Sequence, residues 1–266
     1  MASSARVYPQ EHKGIKVSQA DPIIIIPSRL GSSRLPAKPL ATIGDAPMIV
    51  QVWRRAVESM AGRVIVACAD IEIADVVSEA GGETVMTSPD LPSGSDRVFE
   101  ALEKIDPGGV FDKIVNLQGD LPNIEPETIL AVLEPLQDSK VDIATLAAKI
   151  QDQEEQHDPN VVKVVATLGD TDAKRIARAL YFTRVAAPAG DGDLWHHIGI
   201  YAYRRAALVK FVGLSPSGLE LREKLEQLRA LEAGMRVDVA RVNSVPLGVD
   251  TPADLTKARQ VFRTHE

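Results

Sequence analysis

The sequence predicts an α/β fold, a mostly parallel central sheet flanked by helices, and three observations carry that prediction. Residues 23–26 are four consecutive isoleucines, a run that suits a strand buried on both faces. Short β-branched runs then alternate with segments of helical apolar spacing as far as residue 136, the signature of parallel strands joined by covering helices. Aromatic residues make up 4% of the 266 residues against 45% hydrophobic, which fits an Ala/Val/Leu-rich α/β protein better than a β-sandwich.

Residues 1–20 are polar and lack the apolar run of a secretory signal, so they read as a loose tail ahead of a single domain over 21–266. The strand at 23–26 is expected to stop at Pro27, which has no N–H to give to a ladder. The loop that follows carries Arg29, Arg34 and Lys38 with no acidic residue among them. Pro36 and Pro39 stiffen it, and Gly31, Ser32 and Ser33 offer backbone N–H groups and hydroxyls. Ligands of open α/β sheets bind outside the carboxyl ends of the strands, and an anion such as phosphate suits this loop. Neither G-x-x-x-x-G-K-[ST] nor G-x-G-x-x-G is present, and a solvated surface loop has the same composition.

Residues 47–60 read as a helix with Ile49, Trp53, Ala56, Val57 and Met60 on one face. Residues 64–68 read as a strand, 71–80 as a helix stopped by Gly81-Gly82, and 83–87 as a third strand. A helix over 96–105 has Val98, Leu102 and Ile105 on a common face and Ser95 as its expected N-cap. The strand at 113–118 runs into Gly119-Asp120-Leu121-Pro122, a second polar loop at a strand's carboxyl end, and 126–136 reads as the next helix. From residue 141 the pattern is richer in strands, at 142–148, 161–167, 177–182 and 197–203. A smaller β-rich lobe within about 141–235 is therefore expected, with a role in dimerisation. A helix over 219–233 has Leu221, Leu225, Leu228 and Leu231 as its seam and Gly234 as its stop. A last strand at 236–245 precedes a helix opened by Thr251 and Pro252.

A net charge of −7 argues against a nucleic-acid or anionic-membrane binder, which needs a broad basic surface, and no stretch approaches the roughly 20 apolar residues of a membrane span. The single cysteine, Cys68, allows no intrachain disulfide and fits a reducing cytoplasm. No His/Cys spacing suggests zinc.

Asp120 and Asp250 each follow a strand and a glycine, in Gln118-Gly119-Asp120 and Gly248-Val249-Asp250. Two carboxylates with phosphate oxygens and water make an oxygen shell suited to Mg²⁺. Taken singly, each aspartate also fits an ordinary turn, and Asp250 a position favoured ahead of a helix N-terminus.

Eight ordered segments take the reading further: PSRLGSSRLPAKPL (27–40), PMIVQVWRRA (47–56), SGSDR (93–97), NLQGDLP (116–122), ALYFTR (179–184), HIGIYAYR (197–204), KLEQLRALEAG (224–234) and GVDTPADL (248–255). Over nearly all of 22–262 the chain resembles the 3-deoxy-manno-octulosonate cytidylyltransferases, or CMP-Kdo synthetases. That resemblance implies a Rossmann-like nucleotidyltransferase fold, a cytoplasmic homodimer and Mg²⁺ as cofactor. It also implies transfer of a cytidylyl group from CTP to the anomeric hydroxyl of Kdo, with release of pyrophosphate, for lipopolysaccharide assembly. Carried over by motif position, Ser28, Arg29, Arg34, Lys38, Ser95 and Gln118 would bind the nucleotide, with Lys38, Asp120 and Asp250 catalytic and the two aspartates on the metal. Arg184, His197, Glu226 and Gln227 would line the sugar pocket. Read from the residues alone, His197 also fits a satisfied core histidine, and Glu226 and Gln227 a solvated flank.

Two positions depart from the family pattern: Leu121 stands where an acidic residue usually follows the QGD aspartate, and Cys68-Ala69 replaces Thr-Asp, with Asp70 next. The alternatives are a cytidylyltransferase for a related sugar acid, 8-amino-Kdo or sialate, and a catalytically silent nucleotide sensor.

Overall fold

The computed structural model describes residues 21–31 and 35–263. Arg34, Ser32, Ser33 and the expected tail at 1–20 lie outside the described residues. In chain order the elements are β1 (Ile23–Ser28), β2 (Thr42–Ile43), β3 (Ala46–Pro47), α1 (Met48–Glu58), β4 (Arg63–Cys68), α2 (Ile71–Glu79), β5 (Glu83–Met86), α3 (Gly94–Ile105), β6 (Lys113–Asn116), α4 (Pro126–Ala131), β7 (Ile143–Lys149), α5 (Gln153–His157), β8 (Lys163–Val165), β9 (Ile176–Arg178), β10 (Tyr181–Thr183), β11 (Trp195–Arg204), α6 (Arg205–Val212), α7 (Gly218–Glu223), α8 (Leu228–Glu232), β12 (Val237–Val242) and α9 (Pro252–Arg263).

The central sheet runs in the order β5-β4-β1-β6-β11-β7-β12-β9, with β8 and β10 paired off its path. β5, β4, β1 and β6 are parallel neighbours. β11 is antiparallel to both β6 and β7, and β12 is parallel to β7. The sheet is thus mostly parallel, with β11 reversed inside it and β9 reversed beside β12.

β1 shows why the isoleucine run works. Ile24 and Ile26 lie in the core on one face of the sheet, and Ile23 and Ile25 in the core on the other. A period-two strand can bury four consecutive side chains only when both faces are covered. Val50, Val52, Val77 and Ile129, from α1, α2 and α4, share the first core; Val98, Leu102, Leu208 and Phe211, from α3 and α6, share the second. Helices therefore cross to opposite faces on either side of β1, and the gap between β1 and β6 is the switch point where such sheets open a crevice.

Several boundaries differ from expectation. Pro27 does not end β1: it pairs opposite Ala67, and Ser28 opposite Cys68. Residues two apart in a strand face the same neighbour, so Pro27 turns its missing N–H toward β6, whose ladder has already ended at Ile25↔Asn116. Val57 and Met60 are exposed, and Met60 sits at φ 51°, two residues past the end of α1. The N-cap of α3 is Ser93, whose Oγ accepts the Asp96 N–H at 3.2 Å; Ser95 lies in the first turn.

The helix expected over 219–233 is two short helices. Lys224 at φ 57° closes α7 in the left-handed region, and the exposed Leu221 belongs to no seam. The helix expected over 126–136 is α4 followed by a single 3₁₀ turn, Pro135–Gln137. The strand expected over 177–182 is divided between β9 and β10, which lie in different places beside β12 and β8. The other strands of the 141–235 segment, β7 and β11, are central members of the main sheet.

Candidate active site

The loops after β1 and β6 leave the sheet at the switch point and meet the segment before α9. Lys38 is the hub. Its Nζ donates to Asp120 Oδ2 at 2.9 Å and to Asp250 Oδ1 at 2.9 Å. The three side chains come from the 3₁₀ turn Lys38–Leu40, the β6 exit and the α9 entry. The Val249 N–H donates to the Asp120 carbonyl at 3.0 Å, stitching the two acidic loops together behind their carboxylates. A capping box then fixes the α9 entry: the Asp254 N–H donates to Thr251 Oγ1 at 3.2 Å and the Thr251 N–H to Asp254 Oδ2 at 2.9 Å. Burial alone would lower the Lys38 pKa, but the charge and hydrogen bonds of Asp120 and Asp250 outweigh it, and the ammonium is held above its ordinary 10.5.

Gly119 lets the β6 loop lie against β1. A Cβ there would stand 3.1 Å from the Pro27 carbonyl oxygen and 3.2 Å from Ile49 Cδ1, tighter than a side chain ordinarily packs. Gly94, at the start of α3, would place its Cβ 3.4 Å from both Gln118 Oε1 and Pro27 Cγ. The first turn of α3 thus lies against the ends of β1 and β6, with Gly94 beside Gln118. Gln118 donates to Asn116 Oδ1 at 2.8 Å. Ser28 is buried, and its Oγ has no hydrogen-bond partner among the described residues. Arg29 is exposed at the rim.

The residues expected at the sugar pocket fall into two groups. Ser95 Oγ donates to Glu226 Oε2 at 3.0 Å, and Glu226 Oε1 is buried without a partner among the described residues. Burial raises the Glu226 pKa despite its bonds to Ser93 and Ser95. Gln227 beside it is buried.

His197 stands on β11, next to an irregularity in the β7–β11 register between Ile198 and Tyr201. Thr145 fills that irregularity. Its Oγ1 lies 2.8 Å from the Ile200 carbonyl and 3.0 Å from His197 Nε2, so one hydroxyl donates to the carbonyl and accepts from the ring N–H. Burial, with the neighbouring His196, takes the His197 pKa down to about 3, so the ring is neutral at physiological pH. Phe182 meets it edge-on at 4.8 Å, and Tyr201 and Tyr203 continue the row.

Arg184 is engaged elsewhere: its guanidinium donates to the carbonyls of Glu223 at 2.9 Å, Pro159 at 2.9 Å and Lys224 at 3.4 Å. In this structure it clamps the α7 end to the 158–160 turn rather than offering free donors. Arg97 escaped the sequence reading although it lies in the SGSDR segment. Its Nη1 donates to the Ser88 carbonyl at 2.9 Å and to Thr87 Oγ1, and burial together with the facing Arg29 lowers its pKa. A cation in a helix's second turn is an ordinary surface pattern, so no signal marked it as buried.

Comparison with known proteins gives the family. The cytidylyltransferase family profile matches residues 23–237. A 3-deoxy-manno-octulosonate cytidylyltransferase from Parvibaculum lavamentivorans is 61% identical over 90% of this chain and 91% of its own length. The chain belongs to the 3-deoxy-manno-octulosonate cytidylyltransferase family. A second member of this cytidylyltransferase family, from a Bradyrhizobium species, is 62% identical over 90% of this chain and 96% of its own. The solved structure of a CMP:2-keto-3-deoxy-manno-octonic acid synthetase complexed with CTP superposes with a TM-score of 0.84 at 37% identity, over 93% of this chain and 100% of that one. A 4-diphosphocytidyl-2C-methyl-D-erythritol synthase from Anaerococcus prevotii, 13% identical, shares the fold with a TM-score of 0.62 over 92% of this chain and 100% of its own.

Proposed function

We propose that this protein transfers a cytidylyl group from CTP to the anomeric hydroxyl of 3-deoxy-D-manno-octulosonate, giving CMP-Kdo and pyrophosphate. The observation that carries the reading is the convergence of Lys38, Asp120 and Asp250 at the switch point of the sheet, with both ion-pair distances at 2.9 Å. Relatives at 61% and 62% identity that bear this activity in their names support it.

The reaction joins the sugar oxygen to the α-phosphorus and breaks the bond from that phosphorus to the β-phosphate bridge, while the hydroxyl gives up its proton. Charge grows on the phosphate oxygens and on pyrophosphate, so fixed cations are the main demand. Lys38 and Arg29 supply them from the loop after β1. Ser95 and Gln118 face the nucleoside side of the crevice. Glu226, Gln227 and the neutral His197 present hydrogen-bonding groups to a polyhydroxylated acceptor. Arg184 would join them by giving up its carbonyl contacts.

The donor set fits Mg²⁺: two carboxylates from different loops converge on a single cation, here an ammonium, and phosphate oxygens and water would complete an oxygen shell. Bound between Asp120 and Asp250, the metal would neutralise charge developing on the triphosphate. The working form in this reading is a cytoplasmic homodimer. A lone, buried Cys68 accords with a reducing compartment, and the exposed Leu180, inside the ALYFTR segment, and Val185, just after it, offer apolar surface. Among the described residues no helix is long and apolar enough to cross a membrane.

Pyrophosphate release with CTP and Mg²⁺ tests the reading, comparing Kdo, 8-amino-Kdo and sialic acid as acceptors and ATP, GTP and UTP as nucleotides. Strong release is expected with CTP and Kdo, and loss by about a hundredfold or more in Asp120→Asn and Asp250→Asn. Silence with all three acids would overturn the acceptor assignment.

A further inference from the structure

We propose that Asp70 is a positioning residue for the phosphate loop, holding the backbone that presents Arg29 by accepting a hydrogen bond from the Leu30 amide. The proposal rests on the reading that this loop binds CTP.

Asp70 occupies the N-cap position of α2, with extended backbone at φ −123°, yet its side chain makes no capping bond to that helix. An aspartate at an N-cap ordinarily accepts from the first-turn amides of its own helix. Here Oδ2 instead accepts the N–H of Leu30, 40 residues away in sequence, at 2.7 Å. That length is in the range of a charge-assisted bond. The adjacent Ala69 N–H donates to the Ser28 carbonyl at 3.0 Å. Two successive residues leaving β4 therefore grip Ser28 and Leu30, and Arg29 between them is turned outward to the rim. The Leu30 side chain packs on the core from the other side.

Charge adds to the geometry. Arg29 and the buried Arg97 face each other closely enough to lower the Arg97 pKa, and Asp70 is one of the acidic groups that oppose this. The carboxylate thus pins the loop and offsets the repulsion between two guanidiniums beside it. It touches no reacting atom in this arrangement; it acts through the loop.

Three measurements on the full-length protein test the proposal. Asp70→Ser keeps a good N-cap side chain for α2, but its oxygen is too short to reach Leu30. Asp70→Asn keeps an acceptor oxygen in place without the charge. In Asp70→Ser the KM for CTP is expected to rise about tenfold, with the KM for the sugar acid and the Tm near wild type; Asp70→Asn should recover part of the loss.

Amide exchange at Leu30, followed by NMR without substrates, should be slow in the wild type and faster in Asp70→Ser. This readout needs no turnover, so it judges the pin separately from the choice of acceptor sugar. Unchanged Leu30 exchange in Asp70→Ser would overturn the proposal. So would an equal rise in both KM values with a lowered Tm, which would make Asp70 a residue of general stability.

Discussion

Lys38 stands between two carboxylates that would otherwise face each other across the crevice, and this gives the site a testable electrostatic signature. Lys38→Met removes the ammonium that Asp120 and Asp250 share, so an added divalent cation should restore part of what it supplied. At millimolar Mg²⁺ we expect the Tm of Lys38→Met to rise by about 2–4 °C more than that of the wild type, the effect of a ligand present at roughly ten times its Kd. Equal shifts in the two proteins would show that the ammonium and Mg²⁺ do not compete for the aspartate pair. The pairing itself was legible, because two Asp-bearing turns followed strands and the cationic loop preceded both. Asp70 was not: a side-chain bond to a backbone amide 40 residues away leaves no periodic trace in the sequence. His197 was named for the sugar pocket, while its support by Thr145 depends on an irregular strand register that no alternation of residues announces.

Elements were read most faithfully where one periodicity dominated. β4 and α2 fall within a few residues of expectation because their apolar spacing and their stops agree, while β1 and α1 keep their place but not their expected ends. Two failures share a cause, a backbone conformation that residue type does not advertise. Met60 and Lys224 both adopt positive φ without being glycine, the first ending α1 and the second splitting a fifteen-residue apolar pattern into α7 and α8. Such residues hold the left-handed region at a cost of roughly 1 kcal/mol. Met60 is 89% exposed and far from the crevice, so its side chain offers little in return. Met60→Gly should therefore stabilise the protein by about 1 kcal/mol, read as a Tm increase of about 2 °C, with catalytic rates unchanged. A lowered Tm would mean that the Met60 side chain contributes packing not evident from its exposure. α6 was missed for a different reason: its Arg205-Ala206-Ala207-Leu208 start follows directly on β11 with no turn residue between.

For the molecule as a whole, the fold class was legible because β-strand runs and helical spacing alternate along the first half of the chain. The second half hid its design, since β11 enters the same sheet in reverse and sets its Tyr201–Arg204 stretch beside β6. The assembly follows at this scale: a homodimer should sediment at about twice the 28.7 kDa of the chain, and paired Leu180→Asp and Val185→Asp changes should shift it toward the monomer. A wild type that sediments as a monomer at micromolar concentration removes the dimer from the proposal.

The stitch between Val249 and Asp120 has a consequence for how the protein comes to life on the ribosome. Strands β1, β4, β5 and β6 and the cationic loop are all made well before Asp250, whose bond to Lys38 spans 212 residues. At ordinary elongation rates the nascent chain carries its first carboxylate for on the order of ten seconds before the second exists. The parallel half can begin to fold during that interval, but the acidic pair cannot close. In the proposed reading catalytic competence waits for Asp250, and a product cut short before it has the loop after β1 without the acidic pair.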